Sequence, residues 1–482
     1  MAGNHFTKKP LSVLFREADE TGEHTLKRTL GPIGLTALGI GAIIGAGLFS
    51  ITGGAAAYNA GPAVTISFII AAIGCAFAGL CYAEFASMIP VAGSAYTYSY
   101  ATMGRLMAWI IGWDLVLEYA VGAATVSISW SRYLVKFFDH INIHLPARMV
   151  MSPFDTATLS DGSLVHGVIN LPAVFIVVLI SMLLIRGTQE SSFVNNIIVA
   201  LKVIVVLVFI ILGWSYINEA NYKPYIPTNT GTFGEYGWSG ILRAAGIIFF
   251  AYIGFDAVST AAQESKNPKR DMPIGILLSL GICTILYILF AHVMTGLANY
   301  TEFKGVDGIA PVAVAIEHTP YGWLKQAIIL AILAGYSSVI LVMLLGQSRV
   351  FYSMSKDGFL PPVFSRIHPK FKTPWKSNIM FCVFVSLFAA FVPVRVVGEM
   401  TSIGTLFAFA LVCLGIIVLR RKQPDAPRAF RTPWVPLIPI LGVLSCLLMM
   451  LALPLDTWLR LFAWMAIGLV LYITYGNKKA RF

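Results

Sequence analysis

The chain has 482 residues, of which 57% are hydrophobic and only 12% charged, with a formal net charge of +11 and a mean hydropathy of +0.77. So few charges cannot coat a soluble core of this size, which excludes an ordinary globular enzyme and points to the bilayer as solvent. The basic excess needs no nucleic acid, because a membrane face rich in anionic lipid accounts for it.

Twelve apolar runs are long enough to cross about 30 Å of hydrocarbon. They are 31–57, 63–89, 105–134, 168–185, 193–217, 239–264, 272–298, 322–351, 377–394, 398–419, 435–454 and 457–475. These predict an all-α membrane protein of twelve transmembrane helices. Residues 1–30 are polar and charged, with no small-residue cleavage site after a short apolar core, so no cleavable signal is expected. With the amino terminus inside and the spans alternating, the inner segments, including the 476–482 tail, carry twenty-four Lys and Arg residues. The outer loops carry six: Lys136, Arg148, Lys223, Lys304, Arg395 and Arg460. The positive-inside rule then puts both termini in the cytoplasm, with the chain multi-pass in the inner (plasma) membrane of a cell. The longest loops, 136–167, 218–238 and 352–376, are too small to be domains, so function is expected inside the bundle.

Two runs carry interruptions. The first holds Gly39-Ile40-Gly41-Ala42-Ile43-Ile44-Gly45-Ala46-Gly47-Leu48-Phe49, and the sixth holds Phe249-Phe250-Ala251-Tyr252-Ile253-Gly254-Phe255-Asp256. Unwound backbone survives at membrane depth only where protein buries it or where it lines a cavity. Breaks at matching places in two halves point to a secondary transporter's substrate site; the plainer alternative is glycine for close helix packing.

Charges inside the runs add to this picture. Glu84 ends the second run, and Asp114 and Glu118 lie one turn apart in the third. Lys202 sits about ten residues into the fifth, so about 15 Å deep at 1.5 Å per residue, beyond easy snorkelling. Ionisable groups at such depth are functional-site candidates. Desolvation disfavours a buried ammonium, so Lys202 suits a proton carrier; a static ion pair is the alternative. Asp256, just past the second break, is placed to brace freed amides, and Glu84 reads as structural. Glu118 is balanced between structure and the choice of positively charged side chains.

Other chemistries are poorly supported. The eight histidines form no metal-ligand pair on a helix, and no Walker-type phosphate loop is present. Cys75, Cys81, Cys283, Cys382, Cys413 and Cys446 all fall in apolar runs without a Cys-x-x-Cys pair, so neither a disulfide framework nor a metal site is expected. Asn299-Tyr300-Thr301 matches a glycosylation sequon, a triplet that also arises by chance. An enzyme is not indicated.

The stretch Glu264-Ser265-Lys266-Asn267-Pro268-Lys269-Arg270-Asp271-Met272-Pro273 resembles the cytoplasmic motif of amino-acid permeases of the amino acid–polyamine–organocation superfamily. Gly45-Ala46-Gly47, Tyr82-Ala83-Glu84-Phe85-Ala86, Pro90-Val91-Ala92-Gly93-Ser94-Ala95-Tyr96 and the run from Gln347 to Gly358 agree with it. The last of these, with His368-Pro369 and Thr373-Pro374, is most similar to the cationic amino acid transporter branch and its bacterial relatives. The resemblance implies an inverted five-plus-five repeat of the leucine-transporter type, 31–217 and 239–419, with two peripheral helices in 435–475. It implies that amides of Ala46 and Gly47, beside Gly45, hold a substrate carboxylate. Carbonyls of Ile43, Phe250, Ala251 and Ile253 would take its ammonium, as half-helix ends favour. Where many relatives carry Thr or Ser, this chain has Ala46, so backbone alone must serve the carboxylate. The resemblance further puts Lys202 in the place of a sodium ion, with the Gly45 carbonyl and Ser337 or Ser338 as neighbours. Ile340 would wall the side-chain pocket.

The expected function is proton-coupled import of L-amino acids, small neutral ones such as alanine in preference to cationic ones. Exclusion by a branched wall at Ile340 outweighs a partly solvated ion pair with Glu118. The alternatives are a carrier of cationic amino acids or polyamines, an exchanger of the same fold, and a channel or receptor. A channel would want a polar pore ring, and a receptor a signalling domain. The expected partners are the substrate, membrane lipid and a small membrane accessory subunit that the resemblance allows; no metal or cofactor beyond the proton is expected.

Overall fold

The computed structural model describes residues 7–10, 13, 30–89, 94–158, 163–187, 192–260, 262, 265–305 and 310–480. Most of the 1–30 segment, Pro90-Val91-Ala92-Gly93, Glu264 of the motif and the end of the 476–482 tail lie outside them.

The first apolar run is not one helix. Helix α1 (Pro32–Ile43) opens with proline in its first turn, where the missing amide costs nothing. It stops at Ile44, whose ψ of 103° is extended. Helix α2 (47–60) resumes the same run with two π-helical turns. Helix α3 (Val64–Met88) is followed by α4 (Ser94–Thr102), a short helix that lies between two predicted spans. Helix α5 (Arg105–His140) is longer than its predicted 105–134 and carries a π-turn at Leu117–Val121. The loop after it holds an antiparallel pair, β1 (Thr156–Thr158) and β2 (Leu164–His166), with Ala157 opposite Val165.

Helix α6 (Leu171–Arg186) is capped by the Asn170 side chain, which accepts the Ala173 amide, and it ends at Gly187 with φ +81°. Helix α7 (Ser192–Trp214) carries Lys202. Helix α8 (Gly237–Ile248) tightens into a 3-10 turn, Phe249–Tyr252, and then breaks; α9 (Ala257–Thr260) follows. The motif Asn267-Pro268 starts α10 (Pro268–Leu297): proline takes the first position, and the Asp271 carboxylate accepts the Asn267 amide at 3.1 Å. The sequon residue Asn299 forms a capping box with Glu302, so local backbone needs explain it. The remaining helices are α11 (Pro311–Ile316), α12 (Lys325–Lys356), α13 (Trp375–Phe391), α14 (Val394–Lys422), α15 (Leu437–Ala452) and α16 (Leu455–Leu471).

Among the described residues, seven helical stretches are long and apolar enough to cross a membrane, and α6, α8, α13 and α15 are shorter apolar helices. Helix α10 packs against α3, α1 and α7, while α12 packs against α5 and α7, so the two breaks lie in the middle of the bundle. The six cysteines are free; five are buried and Cys382 is half-buried.

Charged groups inside the fold are mostly tied. Glu84, at the end of α3, is fully buried and meets Arg420 of α14 at 2.8 Å and Arg428 at 3.1 Å. The Thr432 amide also donates to Glu84, at 2.8 Å. Lys9 reaches Asp357, just past α12, at 3.0 Å, and the Tyr96 hydroxyl of α4 donates to the same carboxylate at 2.8 Å. Removing one partner of a buried ion pair leaves uncompensated charge, at a cost on the order of 3–5 kcal/mol. Glu84→Ala is therefore expected to lower the thermal unfolding midpoint of the purified protein markedly, and an unchanged midpoint would show that Arg428 is satisfied without it.

Candidate functional site

A helix that stops leaves its last carbonyls without amide partners. In α1 the Ile44 amide closes the last turn onto Ile40 at 2.9 Å, and the Phe49 amide reaches back to Gly45 at 3.2 Å. Four carbonyls, those of Gly41 to Ile44, fall between these two, and the first three face other elements. Gly41 accepts from the Lys202 ammonium at 2.6 Å. Ile43 accepts from the Tyr287 hydroxyl of α10 at 2.8 Å. Ala42 faces the second break: a β-carbon on Gly254 would stand 2.8 Å from its oxygen. On the far side of Ile44, α2 begins with the amides of Ala46 and Gly47 at its amino end.

The second break is built differently. The Ile253 amide bonds Phe250 at 3.2 Å, Ile253 itself is extended with ψ 134°, and Gly254 turns the chain at φ +121°, a conformation that favours glycine. Asp256 braces this turn. One carboxylate oxygen accepts the Gly254 amide at 3.3 Å and the other the Tyr119 hydroxyl at 2.7 Å. The bracing role read from sequence is therefore what the geometry displays. Ala251 offers its carbonyl to the same Tyr287 hydroxyl, at 3.0 Å.

The breaks touch through backbone. A β-carbon on Gly47 would lie 2.1 Å from the Ala251 α-carbon, and one on Gly254 would lie 2.7 Å from the Ala42 carbonyl carbon. Each break thus supplies one glycine to the other. Of the residues expected here, Gly47 meets Ala251, and Ile43 and Ala251 share the Tyr287 hydroxyl; Gly45, Ala46, Phe250 and Ile253 lie within two residues of these contacts.

Three expected neighbours need correction. Lys202, only 1% exposed, takes the Gly41 carbonyl and not that of Gly45, because Gly45 is already bonded to Phe49. The hydroxyls of Ser337 and Ser338 bond within their own helix, to Leu333 at 2.9 Å and Gly335 at 3.0 Å. Gly335 is the α12 residue under Lys202, since a β-carbon there would meet its side chain at 3.0 Å. Ile340 is buried, and its neighbour Val339 is the α12 residue that reaches Gly45.

Glu118 is fully buried in the π-turn of α5. Among the described residues no cationic or amide donor is found for its oxygens or those of Asp114, and its ionisable neighbours are Asp256, within side-chain hydrogen-bonding reach, and Asp114. It therefore lies beside the second break. Tyr287 is the site residue that sequence reading missed; a tyrosine in an apolar run carries no signal of its own. On one side of the breaks a cavity of about 300 Å³ opens, lined by Ser50, Gly54, Tyr58, Asp155, Arg395 and Glu399 among others. Its inner wall at Ser50 is tied to the Tyr336 hydroxyl of α12 at 2.8 Å, and the Tyr133 hydroxyl of α5 donates to the Phe49 carbonyl at 2.5 Å.

Long apolar helices around two mutually packed helix breaks define an integral membrane protein of the transporter class. The amino acid permease family matches residues 30–472, and the chain belongs to that family. It is 46% identical, over its whole length and 99% of the relative, to a branched-chain amino acid permease BcaP of Bacillus subtilis (strain 168). It is 40% identical to a methylthioribose transporter of the same organism, over 98% of each chain. It is 34% identical to a vacuolar cationic amino acid transporter 4 of Arabidopsis thaliana, over 84% of this chain and 65% of that one. The resemblance to the cationic amino acid transporter branch holds, and these relatives are permeases and transporters, not enzymes.

Gly47→Ala is expected to force the breaks apart, because the new methyl meets backbone that has no rotamer to escape into. Overpacking of this kind costs about 1–3 kcal/mol or more, so the variant should lose substrate binding and unfold at lower temperature. Gly281→Ala, with nothing within 4 Å of the new β-carbon, is the control. If both variants keep full substrate-induced thermal stabilisation, the contact between the breaks is not needed for the site.

Proposed function

We propose that the chain is a twelve-span secondary transporter of the leucine-transporter type, which imports neutral aliphatic L-amino acids together with protons by alternating access. In this reading 31–217 and 239–419 are the inverted repeats, 435–475 is peripheral, and both termini are cytoplasmic in a plasma membrane. The observation that carries it is the mutual approach of the two breaks, Gly47 on Ala251 and Gly254 on Ala42. That approach brings the amino end of α2 next to carbonyls of both halves, and a zwitterion wants those two partial charges side by side. The substrate carboxylate takes the amides of Ala46 and Gly47. Its ammonium takes carbonyls among Ile43, Phe250, Ala251 and Ile253.

Substrate size is read from the α12 wall, where branched residues Val339 and Ile340 favour alanine and short aliphatic side chains. A relative named for branched-chain amino acids supports a neutral aliphatic class. A second reading rests on Glu118: a buried carboxyl with no cationic partner among the described residues suits the far end of arginine, lysine, ornithine or a polyamine. Steric exclusion by the wall adds to the desolvation cost of an ion pair at the fully buried Glu118, so the neutral class is preferred. Tight arginine binding that outcompetes alanine and valine would reverse that choice. Membrane lipid and a small accessory subunit are the partners expected in this reading.

Binding should need both ends of the zwitterion. Amino-acid amides and N-acetylated amino acids are expected to compete at least roughly tenfold more weakly, the factor that ~1.4 kcal/mol gives. Equal competition by either would mean that the breaks do not hold the substrate.

Coupling is assigned to Lys202, which offers a proton next to the first break through Gly41. Lys202→Ala is expected to fold and insert yet lose uptake driven by an inward proton gradient in proteoliposomes. Accumulation at the parent's level under the same gradient would remove Lys202 from the coupling step.

A further inference from the structure

Tyr287 is fully buried and its hydroxyl touches both halves of the candidate site, the Ile43 carbonyl at 2.8 Å and the Ala251 carbonyl at 3.0 Å. The ring is held in place by Phe68 and Tyr252, with centroids 5.5 and 5.4 Å away. These two carbonyls are ones the break geometry frees, and they are among those assigned above to the substrate ammonium. A phenol has one hydrogen to share between them, while an ammonium brings three donors. The two groups therefore compete for the same acceptors, and the ammonium is better equipped to win.

We propose that Tyr287 is an internal substitute for the substrate ammonium: it satisfies the two carbonyls when no substrate is bound and so allows the unloaded carrier to reorient. The proposal rests on the transport reading and extends it to the return step. Net uptake requires the carrier to come back without cargo. Exchange requires only loaded reorientation. An unbonded carbonyl shut off from solvent is costly, and Ile43 and Ala251 are both buried, so a carrier lacking a resident donor would meet that cost only in the unloaded return. The same hydroxyl sets a threshold for substrates, because a ligand without a cationic amine cannot replace what it displaces. Tyr287 is thus a positioning residue for the breaks, not a passive core tyrosine.

The test is Tyr287→Phe in proteoliposomes, with radiolabelled L-alanine or L-valine, whichever the parent exchanges faster. Exchange against the same unlabelled amino acid is expected to stay within about twofold of the parent. Net uptake into amino-acid-free vesicles should fall roughly tenfold or more, the factor that ~1.4 kcal/mol on the return step gives. The apparent Kd should tighten or hold, and saturating substrate should raise the thermal midpoint of the variant more than that of the parent. If the variant does not survive purification alone, protein purified in saturating substrate is reconstituted and washed for the same comparison. Weaker binding with both fluxes reduced would make Tyr287 a direct substrate ligand and overturn the proposal. Equal loss of both fluxes at unchanged Kd would make it merely structural and overturn it as well. A parent that neither exchanges nor accumulates either amino acid would instead sink the transport reading itself.

Discussion

Backbone touching backbone at membrane depth is the constraint on which the bundle depends. Two backbone segments can approach this closely only where one of them carries no side chain, and Gly47 and Gly254 meet that need reciprocally, against Ala251 and Ala42. The approach is costly in isolation, because each break frees polar groups that lipid cannot satisfy. It persists because side chains from three other helices take up the freed groups: Lys202 from α7, Tyr287 from α10 and Tyr119 from α5, the last through Asp256. The surrounding helices therefore do more than enclose the site, since they supply donors that the interrupted helices lack.

Much of this was legible in the chain. Among the described residues each apolar run overlaps helix, both glycine-rich interruptions fall on breaks, and the Asn267-Pro268 motif starts a helix as its proline requires. What was not legible depended on a single torsion. Glycine is the residue expected to distort, and in the second break it does, at Gly254. In the first break the distorted residue is Ile44, with an ordinary extended ψ, and Gly45 serves a close contact with Val339 instead. That displacement by one residue decides which carbonyls are free, and so moves the partner of Lys202 from Gly45 to Gly41. Tyr287 and Val339 are silent in sequence for a related reason. A tyrosine or a valine in an apolar run is ordinary, and only the neighbouring fold gives it a task.

Ionisable groups divide by what meets them. Glu84, Asp357 and Glu399 accept arginine, lysine or hydroxyl partners: Glu399 of α14, for example, takes Thr457 at 2.8 Å and Arg460 at 3.4 Å, both from α16. Such pairs fix helices to one another near the ends of the bundle. Nearer the breaks the partners change to backbone, with Lys202 on a carbonyl and Asp256 on an amide. An interaction with backbone in an unwound segment breaks when that segment moves, whereas a pair between two packed helices does not. The charges beside the breaks are thus the ones placed to respond to movement of the site.

The three consecutive carbonyls Gly41, Ala42 and Ile43 show how such a response would be transmitted. They run to α7, to the second break and to α10 in turn, within the last turn of α1. A stretch this short cannot shift one of its carbonyls and leave the other two in place. In the proposed cycle, loss of the Lys202 proton removes one of the donors that the ammonium offers at Gly41, and arrival of a substrate ammonium displaces the phenol at Ile43. Each event alters the set of donors holding the same three residues. Proton and amino acid need not touch to be coupled; it is enough that both act on the end of α1, and that the contact of Ala42 with Gly254 carries the result to the second half.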